Sequence, residues 1–119
     1  MTESRAVTIH GIKNCDTMKK ARAWLEQAGI DHRFRDYKAE PPRPEEITRW
    51  AGQVGWEALL NRAGTTFRKL PEAEREGIDQ PRAIALMLAQ PSVIKRPVLE
   101  IGDRVLVGFK PEEWAKALG

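Results

Sequence analysis

The stretch Ala6-Val7-Thr8-Ile9-His10-Gly11-Ile12-Lys13-Asn14-Cys15-Asp16-Thr17-Met18 changes its period midway, and that change organises the reading of the whole chain. Residues 6–10 are a short β-rich run stopped by Gly11, which predicts a first strand. From Asp16 onward Met18, Ala21, Trp24, Leu25 and Ala28 recur at steps of three and four. That spacing predicts an amphipathic helix, with Gly29 supplying its end. Asn14 and Asp16 are both residue types that cap a helix start. Residues 30–37 contain a second strand, charged enough to lie at an edge or half exposed. Strand, helix and strand in this order form a βαβ unit, which implies a parallel pair with a right-handed crossover.

Cys15 falls at the turn from strand to helix, where the first N–H groups of a helix have no intrahelical partner. Those donors and the helix dipole favour an anion, and the reactive form of cysteine is the anion. Lys13, Lys19 and Lys20 are close in sequence and push the same way. Cys15 therefore reads as a catalytic or redox thiolate; the other reading is a buried cysteine acting as a small hydrophobe, which its polar neighbours oppose. A single cysteine excludes an internal disulfide and a thiolate-rich metal site. His10 and His32 lack helical ligand spacing and are expected in strands, so no metal site is expected.

The middle of the chain changes character. Pro41, Pro42 and Pro44 mark a loop whose last proline suits the first turn of a helix through Ile47 and Trp50. Gly52 and Gly55 bracket its end, residues 56–60 begin another helical turn, and Gly64-Thr65-Thr66 breaks it. Thr65, Thr66, Arg68 and Lys69 are expected in a loop, and residues 71–75 form a short polar segment. Pro81 opens a stronger helix with Ile84, Met87 and Leu88 on one side, ended before Pro91. Residues 44–90 therefore read as a helical insertion. Residues 97–101 and 104–107 flank Gly102-Asp103, a hairpin signal, and Pro111 opens a terminal helix. The expectation is one α/β domain over residues 1–119. Its mixed four-stranded sheet carries the insertion between a βαβ unit and a C-terminal ββα unit. Trp24, Trp50, Trp56 and Trp114 are expected to pack helices and core.

Composition excludes several classes of function. The chain has 119 residues, 41% hydrophobic and 31% charged, with a net charge of only +3. Lys and Arg are scattered among Asp and Glu, so the concentrated basic face of a nucleic-acid binder is missing. The N-terminus carries no long apolar stretch, so neither a signal peptide nor a membrane span is expected. A lone thiol fits a reducing cytoplasmic compartment.

Three spaced motifs carry a resemblance that covers nearly the whole chain. They are His10-Gly11-Ile12-Lys13-Asn14-Cys15, Ala58-Leu59-Leu60, and Ile94-Lys95-Arg96-Pro97. With a thiol after the first strand and a proline opening a late hairpin, the layout resembles the thioredoxin fold. More narrowly it resembles the arsenate reductase-like family, which includes the Spx redox regulators and the YffB-type proteins. Residues 11–17 and 55–61 look particularly like the YffB branch. The resemblance implies that Cys15 is the nucleophile and that Arg96, before a cis Pro97, approaches the thiolate and steers an anion. It also implies glutathione as co-substrate, with no bound cofactor. Lys13, Asn14, Arg62 and Pro97 are the candidate substrate-binding residues, with Asn14 a donor to the covalent adduct and backbone flanking Pro97 aligning the tripeptide.

The departures from the family pattern narrow the expectation. The arsenate reductases carry an arginine directly after Ala-Leu-Leu, where this chain has Asn61 and then Arg62. Where they carry a second arginine before a proline, this chain has Lys110-Pro111. Neither asparagine nor lysine reproduces the flat fork that arginine offers an oxyanion. Spx-type regulators usually carry Cys-x-x-Cys, but position 18 is Met18. The leading expectation is therefore a glutathione-dependent monothiol reductase acting on a small disulfide. The alternatives are an arsenate reductase using the same thiol, and a Spx-like regulatory protein that docks RNA polymerase.

Overall fold

The computed structural model describes residues 6–13 and 15–118, and at its centre lies strand β1, Val7–Gly11. Strand β2, Arg33–Asp36, pairs with it in parallel, and β3, Val98–Ile101, pairs with its other edge antiparallel. Strand β4, Arg104–Val107, completes the hairpin on β3, so the sheet order is β2-β1-β3-β4. The expected mixed four-stranded sheet is present. Gly102 turns the hairpin at φ +57°, in the left-handed region that favours glycine.

Period-two alternation separates two cores. Val7, Ile9, Leu99 and Ile101 face helix α1, Asp16–Gln27, and the terminal helix α7, Pro111–Leu118, with Met18, Leu25 and Trp114 fully buried between them. Val98 and Val105 face the opposite side, toward helix α2, Pro44–Val54. Between α2 and β3 the chain makes three one-turn helices, α3 (Trp56–Leu59), α4 (Thr65–Arg68) and α5 (Glu72–Arg75). The longer α6, Gln80–Ala89, follows and adds Ala83 and Met87 to the same core. Trp50 and Trp114 are wholly buried, whereas Trp24 and Trp56 pack at the margins of the two cores.

Local chemistry explains most boundaries. Helix α1 ends in a Schellman turn, with Gly29 N–H bonded to Glu26 O at 3.1 Å and Ile30 N–H to Leu25 O at 3.0 Å. Pro44 occupies the first turn of α2, and Glu46 reaches back to the Arg43 N–H at 2.9 Å. Asp79 caps α6 through a 3.0 Å bond from the Arg82 N–H.

Several expectations are corrected. Gly11 belongs to β1 rather than ending it, because its missing side chain leaves the space that Met18 fills. A Cβ there would stand 2.3 Å from the Met18 sulfur. Thr65 to Arg68 is a helical turn, not a loop, since burying Phe67 draws the segment back onto the core. Asp16 is the first residue inside α1, and the cap position belongs to Cys15. Asn14, the other cap candidate, lies outside the described residues. His32 precedes β2, its Nδ1 2.9 Å from Ile30 O, so of the two histidines only His10 is in a strand.

Helix α2 is tied to the sheet by polar side chains as well as by its apolar face. Arg35 of β2 donates to Glu46, its Nη2 lying 2.8 Å from Oε1. Glu100 of β3 accepts from Arg49 and from buried His10, whose Nε2 is 2.6 Å away. Gln53 accepts the Val105 N–H of β4 at 2.9 Å. These ties run from one edge strand of the sheet to the other.

Burial opposes ionisation of Glu46, but the hydrogen bonds from Arg35 and the Arg43 N–H, with the charges of both arginines, pull its pKa down to about 2. A folded pKa below the unfolded value adds stability that is complete above the unfolded pKa and is lost as pH falls toward 2. Glu46→Ala, which leaves the Arg35 guanidinium with Pro41 O at 3.1 Å and a distant Glu40 at 3.9 Å, is expected to cost about 3 kcal/mol at neutral pH. Urea unfolding should show that deficit shrinking between the ordinary glutamate range and pH 2.

Candidate active site around Cys15

Cys15 has extended backbone angles, φ −128° and ψ 129°, and its carbonyl accepts the first helical bond from Lys19 at 2.9 Å. The residue is therefore half outside α1, with its sulfur at the positive end of the helix and partly exposed. Burial raises the thiol's pKa, but the N–H groups of Met18 and Thr17 and the charge of Arg96 outweigh it, and the net shift is downward. The aligned peptide dipoles at the start of α1 act on the sulfur in the same sense as these N–H groups. Such a thiol has more thiolate near neutral pH than an ordinary cysteine.

Arg96 reaches the sulfur from the far end of the sequence. A 3₁₀ turn, Pro91–Val93, leads into an isolated bridge between Ile94 and Leu60. Two backbone bonds flank the bridge, Lys95 N–H to Leu59 O at 2.8 Å and Asn61 N–H to Val93 O at 2.7 Å. The Arg96 guanidinium donates to Ser92 O at 3.3 Å and forms no ion pair among the described residues, so its charge stays available to the thiolate. The Arg96–Pro97 peptide is cis, as the resemblance implied. Pro97 is buried and its carbonyl is engaged by the Gly108 N–H at 2.8 Å. The backbone N–H and carbonyl of Arg96, by contrast, have no partner among the described residues.

The remaining candidates are not gathered at the sulfur. Lys13 is exposed on the loop before Cys15, as Lys19 and Lys20 are on α1; the cation acting on the thiol is Arg96 instead of these lysines. Asn14 lies outside the described residues. Arg62 is exposed and lies over the Trp56 ring, 5.2 Å from its centroid. It lines an open depression of about 410 Å³ with Glu57, Asn61 and Lys95, whose walls include neither Cys15 nor Arg96. Asn61 spends its side-chain oxygen on the Ala63 N–H, and Lys110 pairs with Glu113 at 3.6 Å. The two positions that depart from the arsenate reductases are thus engaged in local contacts. Among the described residues no three metal-ligating side chains come together.

Sequence reasoning passed over Tyr37 and Ser92. Tyr37 is buried with its hydroxyl 3.4 Å from Lys95 O, and Ser92 lends a carbonyl to Arg96. Neither carries a motif of its own, and only the sheet register brings them to the site.

Comparison with known proteins accords with this geometry. The ArsC family model matches residues 10–117. The chain belongs to the ArsC family. Its structure is similar to that of the YFFB (PA3664) protein, at a TM-score of 0.93 and 56% identity over 96% of this chain and 100% of that one. It is similar also to an arsenate reductase (ArsC) related protein from Brucella melitensis, at a TM-score of 0.77 and 57% identity over 99% and 98% of the two chains. The global transcriptional regulator Spx of Listeria innocua is 27% identical over 90% of this chain and 82% of its own length. The fold is the thioredoxin-like fold of this family, of the YffB type.

Because Arg96 is the cation that acts on the thiol, Arg96→Gln is expected to move the pH profile of Cys15 alkylation to higher pH. Lys13→Gln is expected to leave it in place. Iodoacetamide trapping followed by mass spectrometry reads both.

Proposed function

We propose that this ArsC-family protein is a glutathione-dependent monothiol reductase, in which Cys15 forms a transient mixed disulfide with glutathione. The observation that carries the proposal is a partly exposed thiol with a lowered pKa, at a helix start and beside an arginine that forms no ion pair among the described residues. In the first step the Cys15 thiolate attacks the glutathione sulfur of a mixed disulfide. The new bond joins Cys15 to glutathione, and the substrate leaves as a thiolate that takes a proton from water. A second glutathione thiolate then attacks the adduct, releasing oxidised glutathione and restoring Cys15. The balance is one mixed disulfide plus one glutathione to one free thiol plus one glutathione disulfide, so no second protein cysteine is needed.

Arg96 stabilises the attacking thiolate and, as it departs in the second step, the leaving one. The backbone N–H and carbonyl of Arg96, without a partner among the described residues, suit pairing with an extended tripeptide, while the carbonyl of Pro97 is already spent. Arg62 and Lys95 offer cations for a carboxylate at the rim. A reducing cytoplasm would keep Cys15 free and supply the glutathione. Arsenate reduction is the weaker reading, because Asn61 and Lys110 replace the arginines an oxyanion would need and are locally engaged. The similarity to Spx favours a second reading as a regulatory binding protein. Fully buried Met18 at the Cys-x-x-Cys position argues against an internal disulfide switch in that role.

Glutathione-dependent turnover of a small mixed disulfide tests the proposal, with glutathione disulfide formation as the readout. Cys15→Ser is expected to abolish it, and absence of turnover in the wild-type protein would exclude the reductase reading. Arg62→Ala is expected to raise KM for glutathione by up to about fivefold with kcat unchanged, the size suited to an exposed ion pair.

A further inference from the structure

We propose that Tyr37 is the positioning residue that sets Arg96 against Cys15, holding the thiol loop through its backbone and the Arg96 segment through its hydroxyl. The inference rests on Cys15 being the reactive group, but it adds a residue that the reductase reading does not require.

Tyr37 is the first residue beyond β2. Its N–H donates to Gly11 O at 2.8 Å, and Gly11 is the last residue of β1 before the loop to Cys15. Tyr37 is 1% exposed, and its hydroxyl donates to Lys95 O at 3.4 Å. That carbonyl belongs to the peptide bond immediately preceding Arg96. The ring also lines a cavity of about 240 Å³ with Ile12 of the thiol loop and with Pro91 and Ser92 of the arginine segment. Tyr37 therefore lies at the seam between the two halves of the site and touches both.

Tyr37 adds the one side-chain hydrogen bond to the backbone of this segment from the β2 end of the sheet among the described residues. The backbone before Arg96 is held by the Ile94–Leu60 bridge and by the Lys95 N–H on Leu59 O, and the guanidinium meets Ser92 O and the Cys15 sulfur. Burial pushes the Tyr37 phenol well above its ordinary range, so the hydroxyl keeps its proton and remains a donor to the carbonyl. At 3.4 Å the bond is long. Its removal should therefore cost little stability, and its consequence lies in where the Lys95 carbonyl and the following side chain come to rest. A phenylalanine would keep the ring and the β-sheet bond while freeing that carbonyl.

The test compares Tyr37→Phe with the wild type, and Arg96→Gln with the double variant, by the pH dependence of Cys15 alkylation with iodoacetamide. Tyr37→Phe is expected to move the profile to higher pH. Below the inflection, where rate follows the thiolate fraction, it should slow alkylation about twofold. In the Arg96→Gln background the same change is expected to have no further effect, because its route to the sulfur is gone. An unchanged profile in Tyr37→Phe overturns the proposal. So does a shift of equal size in both backgrounds, which would mean that Tyr37 acts on the sulfur by another route. Tm measured alongside is expected to be nearly unchanged, and a large fall accompanied by equal shifts counts against positioning. Alkylation needs neither glutathione nor a disulfide substrate, so the result stands apart from the fate of the reductase reading.

Discussion

β1 is hydrogen-bonded along both edges, parallel to β2 and antiparallel to β3, and the site depends on this double pairing. Because β3 runs against β1, the end of one strand lies beside the start of the other, with His10 opposite Val98. The loop that leaves β1 carries Cys15, and the segment that enters β3 carries Arg96 and Pro97. Two residues eighty-one positions apart thereby share one end of the sheet. Lowering of the thiol pKa follows from that proximity together with the start of α1.

The same geometry explains why the first motif has glycine at position 11. Met18 is fully buried and occupies the volume a side chain at Gly11 would fill. The glycine thus serves a close approach of α1 to β1 and not a left-handed turn, since Gly11 is absent from the glycines with positive φ. The approach keeps the N-terminus of α1 under the sulfur. In a Cys-x-x-Cys protein the second thiol stands at this position, but here it is given over to packing.

The opposite face of the sheet is held differently. Helix α2 buries Ile47 and Trp50, yet it is also tied across the sheet by Glu46, Arg49 and Gln53. A buried pair such as Arg35–Glu46 need not add net stability over an apolar contact, because desolvation offsets much of the attraction. It does make one placement of the helix the satisfied one, since any slip leaves a buried charge without its partner. The α2 side also carries Tyr37 and the residues before Arg96, so a defined seat for α2 bears on the site from below.

Strand, helix and turn were legible locally, because each depends on side chains within a few residues: the apolar period of α1, Pro44 and Pro111 in first turns, and Gly102-Asp103 in the hairpin. The candidate thiol was legible for the same reason. Arg96 and the cis Pro97 were named through a family resemblance, since nothing in their neighbourhood marks them. The helical turn at Thr65–Arg68 was missed because burying Phe67, a tertiary effect, outweighs the local Gly-Thr-Thr signal. Which cation reaches the sulfur was likewise a tertiary matter: three lysines are near in sequence, but exposed side chains pointing into water are screened, and the distant arginine arrives beside the thiol. By itself the sequence determined the elements, their order and the candidate thiol, all set by short-range sterics and periodicity. Only the tertiary structure decided what surrounds that residue, because electrostatic action on a thiolate depends on distance through space and not along the chain.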